Sequence, residues 1–65
     1  MEKIVKTELI EQYLKENELS KTKFCKICKI SPGTLTKIMN NQSVSLVAIY
    51  KITRTMGIYL HQIFN

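Results

Sequence analysis

A chain of 65 residues and 7.6 kDa has room for one domain, and at this size only about 60% of the unfolded surface becomes buried. Its ionisable side chains include five Glu, no Asp, one His and two Cys, too thin a supply of acids, bases and ligands for a catalytic or metal centre, so no enzyme, cofactor or small-molecule ligand is expected. Charge is unevenly placed: residues 1–18 carry Glu2, Glu8, Glu11, Glu16 and Glu18 against Lys3, Lys6 and Lys15, whereas residues 19–65 carry six Lys and Arg54 with no acid, so a net −2 and a net +7 make the overall +5.

The 45% hydrophobic content is that of a folded chain. Residues 1–12 lack the apolar stretch of a secretory signal, and no run reaches the roughly 18 apolar residues of a membrane span. A cytoplasmic location with Cys25 and Cys28 reduced is therefore expected. An acid-free basic segment repels itself unless a polyanion is its partner, which points to nucleic acid or an anionic membrane surface, with a merely solvated basic face the alternative that charge alone leaves open.

One Pro, two Gly and no sustained two-residue alternation predict an all-α fold with short connections. The first helix is expected from about Lys6 to Glu16, with Leu9, Ile10, Tyr13 and Leu14 on one face and Glu8, Glu11 and Lys15 on the other. Ser20 is placed to cap a second helix, Lys21 to about Lys29, whose apolar side is Phe24, Cys25, Ile27 and Cys28. Lys21 and Lys23 sit in its first turn against the helix dipole, which suggests that they answer to something outside the protein. Ser31-Pro32 starts a third helix reaching about Met39, since proline at the first helical position loses no needed donor. After the polar loop Asn40-Asn41-Gln42-Ser43, Ser45 caps a fourth helix through Leu46, Ile49, Tyr50, Ile52 and Met56, which Gly57 ends. Leu60 to Phe64 fits a short fifth helix with Leu60, Ile63 and Phe64 facing inward.

Two short helices joined by only Lys29, Ile30 and Ser31 form a helix-turn-helix over about residues 20–39. Leu35 and Ile38 mark the buried side of the third helix, which turns Gly33, Thr36, Lys37 and Asn40 outward. A stripe of small and hydrogen-bonding residues without acids suits entry into a DNA major groove.

From Leu19 to Phe64 the chain resembles the lambda-repressor-like domains, the family of phage Cro and repressor proteins and Xre-type bacterial regulators. The resemblance rests on Leu19-Ser20, Ile30-Ser31, Thr34-Leu35, Leu46 after its serine cap, Met56-Gly57-Ile58 and Ile63-Phe64 in register, and residues 1–18 fit the family's first helix loosely. It implies a compact five-helix bundle, a single DNA-binding domain over residues 1–65 with the third helix as reader. Phosphate contacts are implied for Lys21, Thr22, Asn40, Asn41 and Gln42, and contacts at the groove for Ser31, Pro32, Gly33, Thr36 and Lys37. Pro32 and Gly33 bring no side-chain donor, so direct readout falls mainly on Thr36 and Lys37, the latter toward guanine O6 or N7. Where the family has a small residue, a turn glycine, an acid and a loop glycine, this chain has Cys25, Lys29, Met39 and Asn41.

The expected function is that of a sequence-specific transcriptional regulator, a repressor binding double-stranded DNA as a homodimer. The alternative is a protein-interaction module such as the antitoxin or anti-repressor half of a pair. Tyr59 and Phe64 are candidates for the dimer contact, with plain packing the other reading; Tyr13, Phe24 and Tyr50 are expected in the core. The Cys25-x-x-Cys28 spacing fits zinc or a redox pair, but zinc would find only His61 as a further ligand and a redox pair is expected near a βαβ unit, so both cysteines are read as core residues and His61 as a surface or partner-facing one. Lys23, Lys26 and Lys29 are read as a solvated face or as further contacts to the polyanion.

Overall fold

A computed structural model describes residues 4–64. Four α-helices follow one another: α1 (Thr7–Glu16), α2 (Lys21–Cys28), α3 (Pro32–Met39) and α4 (Leu46–Met56), with a 3-10 turn over Leu60–Ile63. Each boundary has a local cause. Ser20, Ser31 and Ser45 adopt extended backbone, and their hydroxyl oxygens accept from the amides of Lys23, Thr34 and Ala48 respectively. A serine cap satisfies one of the orphan first-turn donors and stabilises by about 1 kcal/mol. Gly57, at φ 75°, closes α4 as expected, with the amide of Ile58 returning to the carbonyl of Thr53 at 3.1 Å.

The expected fifth helix is not formed; the segment is a single 3-10 turn. Its start is held by the side chain of Gln62, whose Oε1 accepts from the Tyr59 amide at 2.7 Å. Its end is diverted: Phe64 is extended and forms an isolated antiparallel bridge with Val5, while the Lys6 amide donates to the Ile63 carbonyl at 2.7 Å. Pairing with the chain's other end thus holds Phe64 in extended backbone, and the helical turn stops at Ile63. Ile63 still faces inward and is fully buried, and Leu60 and Phe64 pack against the core in part.

The core joins all five elements through Ile10, Leu14, Phe24, Cys25, Cys28, Leu35, Ile38, Ile49, Ile52 and Ile63. α2 packs on both α3 and α4, and α4 on the 3-10 turn. Tyr13 and Phe24 meet at 5.8 Å between ring centroids, tilted by 55°, and the Tyr13 hydroxyl donates to the Thr55 carbonyl at 3.3 Å, so the aromatic seam links α1, α2 and α4. Three expected core residues lie outside it. Ile27 is 48% exposed, because the buried arc of α2 spans Phe24, Cys25 and Cys28 and Ile27 stands at its edge. Leu46 and Tyr50 are 60% and 53% exposed, because α4 turns Ala48, Ile49, Ile52 and Thr53 inward instead.

Candidate nucleic-acid interface

The turn between α2 and α3 is built without glycine. Lys29 takes the left-handed conformation (φ 62°, ψ 46°), and the amides of Lys29 and Ile30 both return to the Cys25 carbonyl. A side chain in this region costs on the order of 1 kcal/mol relative to glycine. The satisfied amides and the Ser31 cap offset that cost. The Ser31 hydroxyl also shares a hydrogen bond with Thr34 Oγ1 at 2.8 Å, which fixes the entry to α3.

α3 presents the two faces that its sequence spacing requires. Leu35 and Ile38 are buried, whereas Ser31, Pro32, Gly33, Thr36, Lys37 and Asn40 are exposed. Beyond it, the Asn41 amide donates to Ile38 at 3.0 Å and the Gln42 amide to Lys37 at 2.8 Å, folding the polar loop back onto the helix end. Asn41 holds φ 57°, a value asparagine tolerates better than most residues. All four residues of the loop, Asn40 to Ser43, are exposed.

Five of the sequence-predicted positions surround one cleft of about 180 Å³ between α2 and α3: Lys21 and Thr22 on one wall, Pro32, Thr36 and Asn40 on the other. Leu35, Met39 and Cys25 also line it. Ser31, Gly33, Lys37, Asn41 and Gln42 are not among the residues of that cleft but lie on the exposed surface of α3, its cap and the loop after it. The first turns of α2, α3 and α4 contain no acid, so nothing local neutralises the partial positive charge of their amino ends. The acids of the described residues are confined to α1 and Glu18 just after it.

Two side chains narrow what α3 can read. The Thr36 hydroxyl donates to the Pro32 carbonyl at 3.0 Å, so its hydrogen is committed within the helix. What remains for a ligand is its methyl group and the oxygen lone pairs, which match a thymine methyl or an amino donor of adenine or cytosine. At Gly33, a Cβ would meet only Ser31 Oγ at 3.9 Å, ordinary van der Waals contact, so the fold does not require glycine there. Its smallness matters only to something approaching from outside.

Burial pushes the thiols of Cys25 and Cys28 above the ordinary range; for Cys28 a hydrogen bond with Thr55 partly opposes this and Cys25 adds to it. Both are therefore neutral packing groups at physiological pH. No grouping of three or more His, Cys, Asp or Glu that would hold a metal ion occurs among the described residues. His61 is exposed and stacks on Tyr59 at 5.8 Å with 8° between the rings. Phe64, one of the two residues considered for a dimer contact, is half-buried against the core; Tyr59 is 73% exposed. The sequence reading gave α4 no surface role. Its exposed Leu46, Val47 and Tyr50 follow a spacing of three and four residues that a helical projection reveals, but only packing decides which of two competing apolar faces turns inward.

A helix-turn-helix with an acid-free outward face on its second helix defines a DNA-binding domain. The Cro/C1-type HTH DNA-binding domain profile matches residues 10–65, and the chain belongs to that family. No curated protein and no solved structure matches the chain.

Proposed function

We propose that the protein is a sequence-specific transcriptional regulator that inserts α3 into the major groove and represses by occupying a promoter. The observation that carries this reading is the exposed, acid-free stripe of Gly33, Thr36, Lys37 and Asn40, flanked by Lys21 and Thr22 on one side and Asn41 and Gln42 on the other. Lys21 at the amino end of α2 and a polar loop after α3 grip phosphates and set the register, while Lys37 and Thr36 meet base edges. Ser31 and Pro32, at the tip of α3, approach the groove floor or the adjoining strand. Lys37 supplies the donor to guanine, and Thr36 supplies a methyl and an acceptor.

The chain acts as a homodimer on two half-sites about one helical turn apart, in the cytoplasm where its thiols stay reduced. Tyr59, with Leu46, Val47 and Tyr50, gives the exposed apolar surface such a pairing needs. The same surface also favours the second reading, a protein-interaction module such as an antitoxin or anti-repressor. Selection of duplexes from a random pool, followed by binding at about 50 and 200 mM salt, separates the two: a regulator enriches a palindrome and loses orders of magnitude in affinity across that range. A module for protein partners enriches nothing. No described helix is long and apolar enough to cross a membrane.

A further inference from the structure

A second and larger cleft, about 530 Å³, opens at the other end of α2. Lys29 from the turn and Lys51 and Arg54 from α4 line it, together with Tyr13 of α1 and Ile27 of α2. No residue of α3 and no carboxylate takes part. Lys51 and Arg54 stand three residues apart, which places them on one face of α4. Lys51 Nζ donates to the Lys29 carbonyl at 3.5 Å, drawing the α4 cations against the turn. The three cations are exposed, and Ile27 beside them is 48% exposed although isoleucine is among the residues most often buried.

We propose that this cleft docks an acidic protein segment that carries an apolar side chain, and that it stays open while α3 is on DNA. The inference goes beyond the proposed regulator function and does not depend on which bases α3 reads. Charge complementarity chooses the sign of the partner: three cations lining one cleft, with no carboxylate among the described residues of that lining, repel one another until carboxylates arrive. The apolar lining chooses its class. A phosphate would match the cations but leave Ile27 and Tyr13 facing water, and a duplex offers charge on a rod without a flexible apolar group to enter a concave site. A glutamate-rich segment with one leucine or similar residue covers both. The availability on DNA follows from the lining: the α2 residues of the first cleft are Lys21, Thr22 and Cys25, and none of them recurs in the second.

The test is an amide-resolved NMR titration of the full chain with a short glutamate peptide containing one leucine, an all-glutamate peptide of equal length, and inorganic phosphate. Each is run alone and with a duplex taken from the selection. The leucine-containing peptide is expected to shift the amides of Ile27, Lys29, Lys51 and Arg54 saturably, to the same extent with or without duplex. The all-glutamate peptide should bind several-fold more weakly. The double variant Lys51→Gln with Arg54→Gln, both on the exposed surface of α4, should keep its melting temperature and lose about ten-fold in peptide affinity. The proposal is overturned if phosphate saturates the same shifts as tightly, if the peptide perturbs α3 or displaces the duplex, if the duplex itself shifts the cleft amides, or if no saturable shift occurs. Failure of the DNA reading would appear separately, as absence of duplex binding while the peptide titration remains readable.

Discussion

The two ends of α2 each place a lysine in a cleft, yet the two clefts share no residue. At the amino end, one lysine stands beside threonines, a proline and an asparagine around a small cleft walled by α3. At the carboxyl end, three cations surround a cleft three times as roomy that α3 does not touch. Net charge therefore does not map onto the DNA-binding surface proposed for this chain. What distinguishes the amino end is the combination of small side chains, absent acids and an exposed helix tip. A count of basic residues would point to the carboxyl end instead.

The largest effect that would test this contrast is at Gly33. Gly33→Glu places bulk and negative charge on the outward face of α3 and should abolish duplex binding, a loss of several kcal/mol from like-charge contact, with the melting temperature almost unchanged. A binding isotherm beside a thermal melt checks it; a variant that binds normally would remove α3 from the interface. Next, Lys37→Ala should lose about 1–3 kcal/mol on the selected duplex and little on random DNA, whereas Lys21→Ala should weaken both alike and reduce the salt slope by about one unit. Equal losses for Lys37→Ala on the two duplexes would make it a phosphate contact.

At the other end of α2, Lys29→Gly relieves the left-handed backbone and should raise stability by about 0.5–1 kcal/mol in urea unfolding while duplex affinity holds. Loss of duplex affinity would merge the two ends into one surface. Thr36 gives a smaller signal. Thr36→Val keeps the methyl and should retain the preference at its base pair, and Thr36→Ser, which removes the methyl, should lose about 0.8 kcal/mol of it. The reverse order, measured by competition between single-base variants, would make the hydroxyl the reader. The smallest effect is alkaline. Because folding raises the Cys25 and Cys28 thiols, the folded state binds their protons more tightly than the unfolded state does. Stability is complete below the ordinary thiol pKa and falls as pH rises from there through the raised values. Replacing both with alanine should flatten that decline in melts taken across the alkaline range.

Where a boundary depends on the residue itself, the sequence is legible. Ser20, Ser31-Pro32, Ser45 and Gly57 mark helix ends that the structure places at those residues, since a cap needs only neighbours a turn away. The outward face of α3 is likewise readable, because Leu35 and Ile38 leave its short length no second apolar stripe. Where two apolar faces compete, periodicity does not choose: Ile27, Leu46 and Tyr50 have the composition of core residues and remain outside it. The fate of residues 60–64 turned on a partner almost a full chain length away. The second cleft was hidden for the same reason, as Lys51 and Arg54 announce one charged helix face but not the turn lysine that meets it.

The pairing of Val5 with Phe64 draws the chain into a ring, and this has a consequence for the order of assembly. Closing so long a loop carries the greatest entropic cost of any contact among the described residues, so the bridge is expected to fasten after α2, α3 and α4 have collapsed together. Fluorophores attached near residues 4 and 64 would sit side by side in the native protein. Energy transfer between them would follow that final latch and expose any species in which the helices have packed while the seam is still undone.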